Sequence, residues 1–384
     1  MAIRAILIIT IVCYISYYSK AEEDFTTKLS KLEELEIEKE LNLLNKPPIK
    51  TIKTKDGVLY DCIDFFKQPA FDHPALKNHS YHYKMKPSFR PKINKRKDYL
   101  NINSKRLSCP IGTVPIRRTT KEDLIKSKLF TKTYGSLTTE KPGLHHAVLR
   151  TKSDPKRRYN GGGAVMNIYQ PNVVGPQYSS SQMTIKNGPD SIQVGWTVNP
   201  TLYGDNKTHL FTFLQAGGTS CFNTQCPGFV IVSTEIPLDF TFEQVSQRGG
   251  TLYETSVFIY RDKANGNWWF EFGRSNIQIG FWPGRIFSAL NTDLAAYMEW
   301  GGEAYSPPGQ PNPEMGNGFR SVGDQSKDAY IEQMTTIDES HKQVDFDNAE
   351  IFTDAKNLYN VDDWKIRGAH GHIMSFGGPF DGGL

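Results

Sequence analysis

From about residue 140 to the C-terminus, apolar and aromatic residues alternate with polar ones in short runs. Turn-forming residues separate these runs, as at Asn265-Gly266 and Pro283-Gly284. A period of two residues is typical of β-strands, and many short strands between turns predict an all-β sandwich or barrel. The stretch 291–298 differs and predicts one or two helical turns. The clearest strand-like runs are 164–169, 191–198, 209–213, 256–260, 268–272 and 277–281.

The N-terminal part of the chain shows a different pattern. Apolar residues from Phe25 to Leu44 recur at helical spacing among glutamates and lysines, and Pro47-Pro48 ends this predicted amphipathic helix. Residues 49–53 alternate like a strand, Asp56-Gly57 marks a turn, and residues 58–60 resume the strand. The pattern therefore predicts a small α+β unit before the β domain.

The first residues indicate a secretory route. Arg4 precedes an apolar run that is too short to span a bilayer well, and small residues follow it at Ser19 and Ala21. A cleaved signal peptide is the favoured interpretation, and a retained N-terminal anchor is the alternative. Asn78 and Asn206 begin Asn-X-Ser/Thr motifs and are predicted glycan acceptors. The predicted boundaries are 1–21 for the signal peptide, 22–110 for the α+β unit, 111–139 for a basic linker and 140–384 for the β domain.

Bulk composition narrows the class of protein. The chain has 384 residues, a formal net charge of +4 and 38% hydrophobic residues, as in ordinary globular proteins. The basic excess lies mainly between Lys84 and Lys132. So small an excess gives no reason to expect nucleic-acid binding, and no later segment is apolar enough to predict a membrane span once the signal peptide is removed.

Five cysteines fit a secreted protein, and Cys13 leaves with the signal peptide. Four cysteines permit three pairings. The favoured pairs are Cys62–Cys109 and Cys221–Cys226, because each joins a locally coherent segment. The closely spaced Cys221 and Cys226 are also compatible with half of a metal site, but the sequence offers no second cysteine or histidine pair nearby. The prediction is therefore disulfides, with no metal and no cofactor.

The residues best suited to catalysis are Glu303 and Gln193. Glu303 follows Trp300-Gly301-Gly302, which predicts a glycine-flanked turn that a ligand can approach closely. A carboxylate held there can act as general base on a water, although an exposed turn glutamate is the simpler interpretation. Gln193 lies between Ile192 and Val194, so on a strand it points to the opposite face, either to solvent or to a developing oxyanion.

Aromatic residues near this candidate pair suggest how a substrate would be held. Trp196 and Trp300 each fit a core position or a cleft wall equally well, and Tyr203 and Tyr305 are further candidates for substrate binding. Two histidine pairs, His145-His146 and His370 with His372, lack a third ligand in the sequence. No zinc site is therefore predicted at either pair.

Several longer runs are similar to a known family, the neprosins. The N-terminal part resembles the neprosin activation peptide, and the C-terminal part resembles the neprosin catalytic domain. The first resemblance rests on 44–53 (LNKPPIKTIK), 60–64 (YDCID), 67–74 (KQPAFDHP) and 109–118 (CPIGTVPIRR). The second rests on 194–200 (VGWTVNP), 202–205 (LYGD), 221–223 (CFN), 226–230 (CPGFV), 266–269 (GNWW), 281–283 (FWP), 300–303 (WGGE) and 377–379 (GGP).

This resemblance implies an antiparallel β-sandwich catalytic domain behind an inhibitory pro-domain, in a plant secreted protein. The founding member is a glutamic endopeptidase that cuts after proline at acid pH. One of its two glutamates matches Glu303, whereas the other falls at Gln193. Glutamine cannot take up a proton as glutamate can. However, another group of glutamic peptidases, also β-sandwiches, uses a Gln–Glu dyad, and by that analogy Gln193 would stabilise the oxyanion.

The functional prediction is a secreted zymogen of an acid-acting prolyl endopeptidase, located outside the cell, in the cell wall or in the vacuole. Its substrate would be a proline-containing peptide or protein, and its own pro-domain would be the intramolecular inhibitor. The alternative is a catalytically inactive binding protein of the same fold for peptide or cell-wall polymer. A two-carboxylate glycosidase is a weaker option because only Glu303 is well placed.

Overall fold

The N-terminal unit contains helices and a small sheet. The computed structural model describes residues 31–92, 100–101, 106–134, 141–273 and 275–381. The predicted signal peptide lies outside the described residues. Three short 3-10 helices follow the second strand, at Phe65–Lys67, Pro69–Asp72 and Pro74–Leu76. The other elements are α1 (Lys31–Leu44), β1 (Lys50–Lys53), β2 (Leu59–Asp64), β3 (Leu100–Asn101), β4 (Thr113–Arg117) and α2 (Lys121–Tyr134).

The predicted helix and hairpin are present. Helix α1 ends at Leu44, before the two prolines, and buries Ile37 and Leu44. Strands β1 and β2 pair antiparallel around Asp56-Gly57, where Gly57 has a φ of +86°. Glycine adopts this left-handed conformation without a steric penalty, which explains why the chain turns there.

The structure corrects the prediction that residues 111–139 form a linker. Strand β4 pairs antiparallel with β2 and completes a three-stranded sheet. Helix α2 follows and buries Leu124, Ser127 and Phe130, which lie three residues apart. The exposed lysines between these positions hide the apolar period in the sequence. The N-terminal unit thus continues to at least residue 134.

In the described residues after 140, the regular elements are mostly strands, and each of the predicted strand-like runs overlaps a strand. The predicted helix at 291–298 is shorter and earlier, because residues 297 and 298 already belong to a strand. A further 3-10 helix lies at Gly284–Ile286 and another at Gly368–His370. The elements are β5 (Leu144–Thr151), β6 (Gly161–Asn167), β7 (Tyr178–Asn187), β8 (Asp190–Val198), α3 (Pro200–Tyr203), β9 (Thr208–Ala216), β10 (Thr219–Phe222), β11 (Val230–Ile231), β12 (Tyr253–Arg261), β13 (Trp268–Phe272), β14 (Ile277–Trp282), α4 (Ala289–Thr292), β15 (Tyr297–Tyr305), β16 (Ala329–Ile337), β17 (Gln343–Asp345), β18 (Ala349–Thr353), β19 (Asn360–Ile366) and β20 (His372–Gly377).

These strands form two large sheets. The seven-stranded sheet has the order β10-β9-β8-β7-β15-β5-β18. The ten-stranded sheet has the order β11-β14-β13-β12-β6-β16-β20-β19, with β17 added to β16 and β3 added to β12. All pairs within the two sheets are antiparallel except β3 with β12. The predicted all-β fold is therefore confirmed.

The two sheets pack face to face around one apolar core. Met298 of the first sheet reaches Gly162 of the second, and Phe376 of the second sheet lies against Gly302 of the first. Trp196, Trp268 and Trp300 contribute large buried side chains to the same core. Burial of apolar surface on both inner faces is what stabilises a β-sandwich.

Both predicted disulfides are present. Cys62 is bonded to Cys109 within the N-terminal unit, and Cys221 is bonded to Cys226 beside β10. Neither bond joins the N-terminal unit to the sandwich. In the described part of the chain, no helix has the length and apolar character needed to cross a membrane.

Candidate active site

Glu303 lies inside strand β15, and not in the turn that the sequence predicts. Gly301 has a φ of +147°, and a Cβ there would lie 2.3 Å from the carbonyl oxygen of Ala147 on β5. A Cβ at Gly302 would lie 2.6 Å from the ring of Phe376 on the opposite sheet. The two glycines therefore permit close approach by the neighbouring strand and by the second sheet.

Alternation along β15 places Glu303 on the outer face of the seven-stranded sheet. The outer faces of β5, β7, β8 and β15 together form the floor of an open cavity of about 620 Å³. The segment just before β5, residues 141–143, forms part of its wall. Polar and charged residues that line this cavity include His146, Arg150, Lys186, Gln193, Glu299 and Glu303.

The Glu303 carboxylate is only 1% exposed, and its contacts include the side chains of Tyr178, Gln182 and His146. The Tyr178 hydroxyl donates to Oε1 at 2.8 Å, and the Gln182 amide donates to Oε2 at 3.2 Å. The Nε2 of His146 lies 3.2 Å from the same Oε2. A buried carboxylate requires such partners, because leaving an ionised group without them is very costly.

His146 is the charge partner of Glu303, and it occupies the position directly opposite Glu303 on β5. Burial by itself lowers the pKa of His146, but the hydrogen bond to Glu303 and the charge of that carboxylate outweigh it, so the pKa is raised. The nearby carboxylates of Glu299 and Asp354 act in the same direction. A cation beside a carboxylate favours the ionised form of the acid.

Gln193 lines the same cavity as Glu303 and is 4% exposed. It lies on β8, whereas Glu303 pairs with Ser180 on β7, and Ser180 pairs with Thr197 on β8. Gln193 is thus two strands away from Glu303, roughly 10 Å across the sheet, and four residues along it, roughly 13 Å. The two residues line one cavity, but their backbone positions are roughly 16 Å apart, so the predicted Gln193–Glu303 pair cannot hold one water. The side-chain amide of Gln182 is in contact with Glu303.

A second glutamate lies in the cavity at the level of Gln193. Glu299 pairs with Thr184 on β7, and Thr184 pairs with Gln193 on β8. Glu299 is 7% exposed, and the Tyr297 hydroxyl donates to its Oε2 at 2.5 Å. Glu299 and Glu303 therefore line the cavity from the same face of β15, four residues apart, and Glu303 is the more deeply buried of the two.

The structure corrects most of the predicted aromatic contacts. Trp196 and Trp300 have no exposed surface and lie in the core between the sheets, so neither can contact a substrate in the cavity. Tyr203 is buried elsewhere and lines a separate small pocket. Tyr305 lies next to the site, because its ring stacks on Tyr178 with the ring centroids 5.6 Å apart.

Sequence reasoning missed four residues of the site: His146, Tyr178, Gln182 and Glu299. The last three lie an even number of residues from Glu303 or from Ser180, its partner on β7, and therefore on the same face of the sheet. This relationship can be recognised only when the strand pairing is known. His146 belongs to the adjacent pair His145-His146, which in the sequence suggests only a candidate metal ligand. In the described part of the chain, no group of three or more His, Cys, Asp or Glu residues is arranged to hold a metal.

The two predicted glycan acceptors are both on the surface. Asn78 follows the last of the three 3-10 helices in the N-terminal unit, and Asn206 lies between α3 and β9. Both side chains are exposed. Modification at either residue stays a prediction.

The fold and the site together define a β-sandwich protein with a carboxylate-centred cavity on the outer face of one sheet, preceded by a disulfide-bonded α+β unit. The chain belongs to the Neprosin family, whose model matches residues 175–379. A second family model, the Neprosin activation peptide, matches residues 51–159. The chain is therefore organised as an activation peptide followed by a Neprosin domain, which is the organisation of a peptidase zymogen.

Two solved structures show a weak overall similarity to this chain and share little sequence with it. One is Scytalido-glutamic peptidase with a peptide-based transition state analog, at 9% identity and a TM-score of 0.34, covering 62% of this chain and 98% of that one. Another is SCP-B, a member of the Eqolisin family of peptidases, in complex with the tripeptide Ala-Ile-His, at 8% identity and a TM-score of 0.33 over the same shares of the two chains.

Proposed function

We propose that this protein is the secreted zymogen of an acid-acting glutamic endopeptidase that cleaves peptide bonds at proline. The observation that supports this most directly is the Glu303 carboxylate, buried at the floor of an open cavity and held by three neighbouring side chains. Family membership supports peptide bonds as the substrate class. The predicted signal peptide supports export to the cell exterior, the cell wall or the vacuole.

In the proposed reaction Glu303 acts first as a base and then as an acid. Its carboxylate takes a proton from a water, and the water oxygen attacks the carbonyl carbon of the substrate. The oxyanion that forms needs a hydrogen-bond donor, a contribution worth roughly 3 kcal/mol when the donor is preorganised. Gln193 lies too far from Glu303 to reach the same carbonyl group, so the side-chain amide of Gln182, which lies 3.2 Å from Glu303, is the proposed donor in its place. Protonated Glu303 then gives its proton to the leaving nitrogen as the C–N bond breaks. The hydroxyl of Tyr178 and the amide of Gln182 keep the carboxylate in place.

His146 explains how such a base would work in acid. Since its pKa is raised, His146 is a cation at acid pH, 3.2 Å from Glu303. That charge favours the ionised form of Glu303, which is the form that can accept a proton. The His146–Glu303 pair thus supports activity at acid pH. The family resemblance alone gives no physical reason for such activity in this chain.

The activation peptide is the proposed inhibitor. Its family match continues to residue 159 and so includes residues 141–143, which form part of the cavity wall. On the ten-stranded sheet, Arg90 of the N-terminal unit pairs with the buried Glu271 at 2.9 Å. Loss of ion pairs between the two units in acid would weaken the attachment of the N-terminal unit.

A pair of matched peptides tests the proposal. Acid-treated protein should cleave an internally quenched peptide that contains one proline, and should leave the same peptide with alanine at that position largely intact. The Glu303→Gln variant, treated identically, is the control, because it keeps the shape of the side chain and removes its basicity. Equal cleavage of both peptides would refute proline specificity, and equal turnover by both proteins would refute the role of Glu303.

One observation favours a second candidate, a binding protein without activity. Gln193 stands where the family resemblance places a glutamate, and glutamine cannot exchange protons. In that case a proline-containing peptide would bind the wild type and Glu303→Gln with similar affinity, and neither protein would turn it over. Turnover by the wild type alone would exclude this candidate.

A further inference from the structure

A segment of the N-terminal unit crosses the outer face of the ten-stranded sheet, a surface distinct from the Glu303 cavity. On β13, Phe270 pairs with Ile259, which pairs with Gly162, and Gly162 faces the inter-sheet core. Glu271 is the next residue on β13, so its side chain points outward. Residues 81–92 of the N-terminal unit cover this outward face, and the segment makes specific contacts there.

The first contact is a pocket for arginine. The Nε of Arg90 lies 2.9 Å from Oε1 of Glu271, and the guanidinium also donates to the carbonyl oxygen of Asn276. The Tyr260 hydroxyl donates to the same Oε1 at 2.7 Å. Glu271 has no exposed surface, and its Oε2 has no hydrogen-bond partner among the described residues. A deeply placed carboxylate with one oxygen still open is suited to a guanidinium, which carries five donors.

The second contact is with the backbone of the segment. The backbone N–H and the hydroxyl of Ser88 donate to Oδ1 of Asp262 at 2.7 and 2.5 Å. The backbone N–H of Lys92 donates to the side-chain oxygen of Gln343 at 2.7 Å, and its carbonyl accepts from the same amide at 3.0 Å. Side chains that bind the main chain on both sides of an arginine hold an extended peptide in a fixed register.

The third contact is aromatic. The ring of Phe89 meets Tyr260 edge-on with the centroids 6.0 Å apart, and the ring of Tyr81 meets Phe281 edge-on at 5.0 Å. Such pairs add roughly 0.5–1.5 kcal/mol beyond the buried area. The surface therefore selects an aromatic residue next to the arginine, in addition to the backbone contacts.

We propose that this surface is a peptide-binding exosite of the mature protein. It would take an arginine-containing extended segment of a protein substrate, preferably with an aromatic residue beside the arginine. In the zymogen, residues 88–92 occupy it. Neither disulfide joins the N-terminal unit to the sandwich, so proteolysis between the units frees the surface. Recognition of arginine at this surface depends on Glu271 and not on the Glu303 cavity. Binding of peptide at the exosite is therefore a function separate from the proposed peptidase activity.

The experiment uses the full chain carrying Glu303→Gln, so that no peptide is cleaved and a failure of the proposed peptidase activity cannot affect the result. Arg90→Glu is added to place a second negative charge against Glu271 and displace the segment. The probe is a fluorescent peptide, KPSFRPK, identical to residues 86–92. Fluorescence anisotropy measures its binding, and hydrogen exchange of residues 81–92 reports whether the segment has been displaced.

The expected result is that KPSFRPK binds the Arg90→Glu protein at least tenfold more tightly than the protein with native Arg90. A matched control is Arg106→Glu, which reverses a charge paired with Glu235 and leaves the arginine pocket filled. That control should not gain binding. Replacing the arginine of the peptide with glutamine, or adding Glu271→Gln to the protein, should weaken binding at least tenfold.

Three outcomes would overturn the proposal. The first is a displaced segment with no peptide binding, and the second is equal binding of the arginine and glutamine peptides. The third is a segment that stays protected from hydrogen exchange in the Arg90→Glu protein. In that case the contact between Arg90 and Glu271 would not be what holds the segment on the surface. Should Arg90→Glu fail to fold, as judged by its circular dichroism, the neutral variant Arg90→Gln replaces it in the same measurements.

Discussion

The Nε2 of His146 lies 3.2 Å from Oε2 of Glu303, across directly paired positions of β5 and β15. The pair therefore links the protonation of an imidazole to the charge state of the proposed catalytic carboxylate, and its consequences can be measured without a substrate.

The His146→Gln variant should lose stability mainly in acid. Because the folded pKa of His146 is raised, its contribution is fully present below its unfolded pKa of about 6.5 and disappears as the pH rises through the folded value. Urea unfolding should show a wild-type advantage on the order of 1 kcal/mol at about pH 5 that shrinks at about pH 8.5. A difference that is equal at both pH values, or larger in alkali, would contradict the assigned direction of the shift.

The two glutamates of β15 should differ in their effect on turnover. Glu303→Gln should lower kcat/KM by at least about 1,000-fold, since it removes the base and the acid together. Glu299→Gln is the matched control, because Glu299 lies on the same face of the same strand and in the same cavity. It should lower kcat/KM by less than about tenfold, as expected for a residue outside the proton transfers. A reversed order in initial rates would assign the base to Glu299.

The amide beside Glu303 should act on kcat more than on KM. Gln182→Ala should lower kcat by about 100-fold to 1,000-fold, because an oxyanion donor is felt mainly in the transition state. Gln193→Ala is the matched control, because Gln193 lines the same cavity but lies roughly 16 Å from Glu303, and it should lower kcat by less than about tenfold. Steady-state kinetics on the proline peptide would distinguish the two variants. A larger loss of kcat in Gln193→Ala than in Gln182→Ala would assign the donor to Gln193 instead.

Gly301 should tolerate no side chain. A Cβ there would lie 2.3 Å from the carbonyl oxygen of Ala147, so Gly301→Ala should lower the free energy of unfolding by at least about 2 kcal/mol. The control is Gly309→Ala, where φ is +84° and no atom lies within 4 Å of the new Cβ. It should cost only about 1–2 kcal/mol of backbone strain. Thermal unfolding of the two variants provides the comparison, and an equal loss would show that the strand contact at Gly301 is unimportant.

The sequence was sufficient for the strands and for the direction of some side chains. Ile192 and Val194 face the core while Gln193 faces the cavity, as the period of two predicts. Trp196 is two residues from Val194 on the same strand, so the period of two also places Trp196 in the core. The prediction that Trp196 binds substrate relied on its aromatic ring and overlooked this alternation. The lysine-rich helix α2 was missed because one of its three buried positions is the polar Ser127 and exposed lysines lie between them.

By itself, the sequence determined the all-β character of the larger domain and the α+β character of the N-terminal unit, because both depend on local periodicity. It also favoured the correct disulfides, because the four cysteines fall into two separate segments, with Cys62 and Cys109 in one and Cys221 and Cys226 in the other. Only the tertiary structure decided what surrounds Glu303. Tyr178 and Gln182 are 125 and 121 residues away along the chain, and His146 lies on yet another strand. Antiparallel pairing in a seven-stranded sheet brings such distant residues together, and a pairing register cannot be read from one strand alone.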